Sequence, residues 1–235
     1  MRRQLAIAEL GLVEYERAHA LQQALVAART SDRIGDTMLL LEHPHVYTLG
    51  RGADERFIVA ARPGVPVVRV SRGGQVTYHG PGQLVGYPIL KLEGAARDVG
   101  RYLRGLEQAM IDALAHFDIA AGRREKLTGV WVGRRKIASI GVGIRRWVTY
   151  HGLALNVSTD LSYFDSIVPC GIAGCEMTSI ARLGRSDVSV ADFSKRLGEN
   201  FRDVFGYSGT VRVPHGDLWR LIDRETAIAE ASGQS

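Results

Sequence analysis

Apolar and polar positions alternate from Leu5 to Leu12, and Tyr15, Ala18, Leu21, Ala24, Leu25 and Ala28 then recur at helical spacing, so the chain is expected to open with a strand and a helix. The run Met38-Leu39-Leu40-Leu41 within Asp36 to Glu42 is too short for a typical helix and reads as a buried strand; Val46 to Leu49, after the breaker Pro44, reads as another, closed by a Gly50 to Gly52 turn. Val65 to Val70 and Leu84 to Leu90 are further apolar strands, the second with Pro88 marking an edge or a bulge, and Arg72 to Gly82 between them reads as a loop. Asp98 is placed to cap a helix whose stripe is Val99, Leu103, Leu106, Met110, Leu114 and Phe117. Gly129 to Val132, Lys136 to Ile144 and Thr149 to Asn156, joined by short basic turns, predict an antiparallel meander. A last helix is expected from Ser189-Val-Ala-Asp192, a capping-box start, through Phe193, Leu197, Phe201 and Phe205. Strands and helices do not alternate regularly, which favours an α+β fold over a doubly wound sheet.

No composition shift or linker divides the chain, so one domain over residues 1–235 is expected, frayed over about residues 1–4 and 226–235. The start lacks the apolar core of a secretory signal, and no run of about 18 uncharged apolar residues occurs anywhere, so neither export nor a membrane span is expected. Two cysteines, Cys170 and Cys175, cannot make a disulfide framework, and a reducing cytoplasm suits such a chain. The net charge of +5 favours acidic partners without choosing among nucleic acid, phosphorylated cofactors and acidic carrier proteins. Of 30 basic residues only Lys91, Lys126, Lys136 and Lys195 are lysines, which makes each lysine worth a question.

Arg72-Gly-Gly-Gln-Val-Thr-Tyr-His-Gly-Pro-Gly-Gln83 sets four glycines and several polar groups between apolar strands; it is either a plain Gly-Pro turn or a loop that lets backbone approach a ligand. Lys136 shares strand parity with Ala138, Ile140, Val142 and Ile144, which predicts a lysine against an apolar face, where a proton is more easily lost and a general base is available. Ser139 and Gly141 have the opposite parity; if they admit a ligand, Lys136 points the other way unless a bulge intervenes. Cys170, between Pro169 and Gly171, is either a small buried hydrophobe or a nucleophile held in a constrained loop. Cys170 and Cys175 with His43-Pro-His45 do not have the spacing of a zinc site, and neither a full dinucleotide fingerprint nor a phosphate loop is present.

Taken together, the glycine-rich segment 72–83, Arg135-Lys-Ile-Ala-Ser-Ile-Gly141, His151-Gly-Leu-Ala-Leu-Asn156 and Ile167-Val-Pro-Cys-Gly-Ile172 resemble the lipoyl(octanoyl) transferases in order and spacing. Glu42-His-Pro-His-Val-Tyr-Thr-Leu-Gly-Arg51 and Met177-Thr-Ser179 extend the resemblance from about Leu5 to Phe205. The resemblance implies a biotin/lipoate protein ligase-like α+β catalytic domain, a largely antiparallel mixed sheet with helices packed on it, that moves octanoyl from octanoyl-acyl carrier protein to a lysine of a lipoyl domain in protein lipoylation. It further implies Cys170 as the acyl-thioester nucleophile and Lys136 as its acid/base partner. Substrate contacts would come from Arg72, Gly73, Gly74, Gln75, Val76, Thr77, Tyr78 and His79, from Ser139, Ile140 and Gly141, and from Gly152, Leu153 and Ala154. Acceptors would be lipoyl domains of 2-oxoacid dehydrogenase E2 subunits and the glycine cleavage H protein, with no cofactor, metal, nucleic acid or membrane involved and a monomeric enzyme. Gly141, Gly152 and Ala154 would leave a slot for the eight-carbon chain, and amides near Gly171 or in the His79 loop would face the oxyanion. An ATP-dependent lipoate ligase of the same fold is the rival enzyme reading, which Cys170 argues against, and a basic nucleic-acid-binding module is the non-enzymatic one.

Overall fold

In the computed structural model the described residues are 3–60, 62–171 and 174–231, the side chains of Cys170, Thr226, Ala227, Ala229, Glu230 and Ala231 lying outside that description. The elements are β1 (Gln4–Leu12), α1 (Tyr15–Thr30), β2 (Thr37–Glu42), β3 (Val46–Leu49), β4 (Val67–Arg69), β5 (Val76–His79), β6 (Gln83–Ile89), α2 (Val99–Ala115), β7 (Gly122–Arg124), β8 (Leu127–Val132), β9 (Arg135–Arg145), β10 (Val148–Asn156), α3 (Val190–Val204), β11 (Gly209–Arg212) and α4 (His215–Ala231). Local chemistry starts two of the helices as expected. The Asp98 carboxylate accepts from the Arg101 amide, and Ser189 and Asp192 form a reciprocal capping box.

Eight strands form one mixed sheet in the order β11-β1-β2-β6-β10-β9-β8-β7, parallel only where β1 meets β11 and β2; β4, β3 and β5 form a second, smaller sheet. Helices cover both faces of the large sheet. On one side α2 and α3 pack Leu106, Met110, Phe193 and Phe201 against Leu40, Ala138, Leu153 and Leu155. On the other, α1 packs Leu21 and Leu25 against Leu39, Val85, Tyr150 and Ala154, with α4 alongside α1. Burial of this apolar surface on both faces is the main driving force for the fold. The α+β expectation thus holds, and among the described residues no helix is long and apolar enough to cross a membrane.

The structure departs from the sequence expectation in three places. The stretch 72–82 is not all loop, because Val76–His79 are buried and pair antiparallel with β3 as β5. Pro88 does not mark an edge: β6 lies inside the sheet, and the proline sits where the ladder to β10, which spans Gln83–Gly86, has stopped. There the Thr149 hydroxyl accepts from the Leu90 amide at 3.0 Å and donates to Pro88 O at 2.7 Å, filling the gap that a residue without an N–H leaves. The helix from Ser189 is not the last, since β11 and α4 follow it.

Candidate active site

The glycine-rich segment, β9 and β10 enclose a cavity of about 270 Å³ between the two sheets. Arg72 organises the loop. Its buried guanidinium donates to Thr48 O and Thr48 Oγ1 at 2.8 Å, to Gln75 O at 2.9 Å and to Gly73 O at 3.0 Å, and the Gly73 amide donates to Val142 O on β9 at 2.9 Å. Gly74, Gln75, Val76, Thr77 and His79 border the cavity with Arg72, as do Ser139, Ile140, Gly141, Gly152, Leu153 and Ala154. Gly73 and Tyr78 do not. Strand alternation sends Tyr78 away from the side of Thr77 and His79, where its ring stacks on Tyr163 at 4.8 Å and its hydroxyl lies 2.7 Å from His45 Nδ1.

Lys136 lines the same cavity at only 1% exposure. The parity conflict is resolved by a bulge: Val130 pairs with Ala138 and Trp131 with Lys136, so β9 carries one extra residue, Ile137, at that point. Beyond it Ala138 faces the α2–α3 core, while Lys136 joins Ser139 and Gly141 on the cavity side. Backbone bonds tie Lys136 to the chain leaving the cysteine loop, from its amide to Glu176 O at 2.8 Å and from the Thr178 amide to its carbonyl at 2.9 Å.

The Cys170 side chain, and Ile172 of its motif, lie outside the described residues. The backbone Pro169–Gly171 forms one 3₁₀ turn packed on β5. Gly171, at φ +68°, abuts Gln75, whose Cγ would lie 3.1 Å from an added Cβ. The Gly171 amide donates to Val168 O at 3.0 Å, so it is not an open oxyanion donor. The two glycines expected to leave a slot are filled by protein instead. A Cβ on Gly141 would meet Arg72 Cδ at 2.9 Å and Gly73 O at 3.0 Å, and one on Gly152 would strike the Gly86 carbonyl and Pro88. Both permit close approach of backbone, and the open volume lies beside them.

Tyr15, Tyr87, Lys126, Leu127, Thr128 and His151 also line the cavity, none of them anticipated as site residues. His151 has φ +54°, a left-handed backbone uncommon for a residue with a side chain, and its amide donates to Gln22 Oε1 at 2.7 Å. Such outliers gather at functional sites, and its place at the head of the 151–156 motif was the available signal. Along one wall of the cavity Tyr15, His79, Tyr87 and His151, with His43 behind them, form a contiguous ring cluster with centroids 5.1–6.3 Å apart. Burial holds three of these imidazoles neutral: the pKa of His43 falls to about 4 and those of His79 and His151 to about 3, the last two pushed further by neighbouring histidines and Arg72. Gln83 Nε2 donates to Tyr78 O and to Asn156 Oδ1, which makes Gln83 Oε1 the acceptor from His79 Nδ1–H at 2.7 Å. Neutral His79 is therefore left with an acceptor Nε2. Asn156 Nδ2 passes the network on to Thr178 O at 3.0 Å.

A partly open, mostly apolar cavity lined by a buried amine, with a cysteine-bearing turn packed against its β5 wall, has the form of a small-molecule binding site. The lipoyl protein ligase A/B catalytic domain model matches residues 14–202, and the chain belongs to that family. The octanoyltransferase of Solibacter usitatus (strain Ellin6076) is 51% identical over 210 residues, covering 87% of this chain and 94% of that protein, and the chain is likewise an acyltransferase. Two solved structures share the fold at a TM-score of 0.73: protein Ta0514 from T. acidophilum with bound lipoic acid, at 16% identity over 96% of this chain and 94% of that one, and lipoate-protein ligase A bound with ATP, at 17% identity over 95% of each.

Proposed function

We propose that the chain transfers octanoyl from octanoyl-acyl carrier protein to a lysine of a lipoyl domain in two steps through a thioester on Cys170. In the first, Lys136 Nζ takes the Cys170 proton, the thiolate attacks the donor carbonyl, the carbon–sulfur bond to the pantetheine arm breaks, and the proton leaves with the departing thiol. In the second, the acceptor lysine amine attacks the enzyme thioester, an amide forms and the Cys170 thiol is restored. Thioester exchange is close to balanced in free energy and amide formation runs downhill, so ATP is not required. The observation that carries this reading is the delivery of Lys136 into the cavity by the Ile137 bulge, with its backbone clamped to the segment that leaves the cysteine loop. Gly74–Thr77, Ser139 and Ala154 would line the acyl chain, and the basic surface suits acidic carriers.

Mixing the protein with octanoyl-acyl carrier protein, without ATP or magnesium, is expected to give one octanoyl adduct, located on Cys170 by intact mass and peptide mapping. Chasing with a lipoyl domain should discharge it. Adduct formation elsewhere, or transfer only with ATP, would defeat the thioester route and favour an adenylate-forming ligase.

A further inference from the structure

Two residues of β8, Gly129 and Trp131, lie against the Lys136 side chain. Gly129 has φ +130°, and a Cβ there would come within 2.7 Å of Lys136 Cε and 2.6 Å of Ala138 O, so the stem crosses the strand where only a glycine leaves room. The Gly129 amide is fixed in turn, donating at 3.0 Å to Oε1 of the wholly buried Glu107, whose Oε2 accepts from Arg104 and Arg123. Trp131 stands opposite Lys136 in the ladder, 2% exposed, with Lys136 Nζ 5.4 Å from its ring centroid. That is inside the roughly 6 Å at which a cation is drawn to an indole face.

From this arrangement we infer that β8 is the cradle of the acid/base amine: Gly129 opens the path of the lysine stem, and the Trp131 ring face holds its end where the proton must be received and returned. Both are positioning residues, and the inference rests on the proposed role of Lys136. The ring acts through its face. Among the described residues the Trp131 indole N–H has no hydrogen-bond partner, so phenylalanine replaces it without breaking such a bond.

The test is the single-turnover rate of Cys170 acylation, measured against octanoyl-carrier concentration for the wild type, Trp131→Phe, Trp131→Leu and Lys136→Met, each checked for folding by thermal melting. Trp131→Phe is expected to stay within about threefold of wild type, and Trp131→Leu to lose about 3- to 30-fold in maximal rate. The half-saturating carrier concentration should hardly change, because a lost positioning contact acts on the chemical step. Folded Phe and Leu variants with equal maximal rates overturn the inference; should the Leu variant not fold, Trp131→Met takes its place. A Lys136→Met variant as fast as wild type instead defeats the underlying reading, whatever the Trp131 variants do.

Discussion

Replacing Lys136 by methionine is expected to lower the rate of Cys170 acylation by about 10²–10⁴-fold, the usual contribution of a positioned acid/base group. The fold should survive the change. The side chain is almost wholly enclosed, with its stem against Gly129 and Trp131, and methionine has nearly the same length and flexibility without an amine to desolvate. Exchanging a buried ionisable group for an apolar one of similar volume is often neutral or stabilising. Stopped-reaction mass spectrometry gives the acylation rate and thermal melting gives the stability. A normal melt with a wild-type rate would remove the amine from the mechanism; a collapsed melt would make it a structural residue.

Acid is expected to weaken the fold well above the range in which carboxylates protonate. His43, His79 and His151 stay neutral in the folded chain down to about pH 4 or 3, whereas in the unfolded chain they take up protons near the ordinary value of 6.5. Below pH 6.5 the unfolded state therefore binds more protons, and stability falls with falling pH by up to about 1.4 kcal/mol per unit for each histidine. The full contribution is present above pH 6.5 and is lost progressively towards the folded values. Allowing for local relaxation around the rings, the summed loss between pH 7.5 and 5.5 is about 2–4 kcal/mol. Urea unfolding at the two pH values reads it directly. An unchanged midpoint would mean that the rings are not held neutral.

Much of the fold was legible because it rests on local signals. Asp98 and Ser189 announce their helices, and the 129–156 meander follows from short turns between apolar runs. Elements that depend on partners were not legible. β7 and β11, of three and four residues, exist because β8 and β1 offer an edge. β5 hides in a stretch whose glycines read as loop, although its residues all pair with β3. α4 did leave a trace, in Leu218 and Ile222 at helical spacing after Pro214.

The candidate site divides in the same way. Motif residues that line the cavity were readable as a set, but the direction of Lys136 was not, since it turns on one extra residue in β9. Tyr15, Tyr87 and Lys126 lie outside the motifs and are brought to the cavity by tertiary packing. The slot expected at Gly141 and Gly152 was misread because a small residue can make room for backbone as well as for a ligand.

The Ile137 irregularity also limits how this hairpin can change. With a period of two residues per pleat, adding or removing a single residue between Lys136 and Ser139 would turn the amine toward α2 and out of the cavity, while leaving the downstream pairing of the strand with β10 intact. Only length changes in steps of two keep the amine on the cavity side, so under the proposed mechanism the distance in residues from the lysine to the serine is a constraint in its own right.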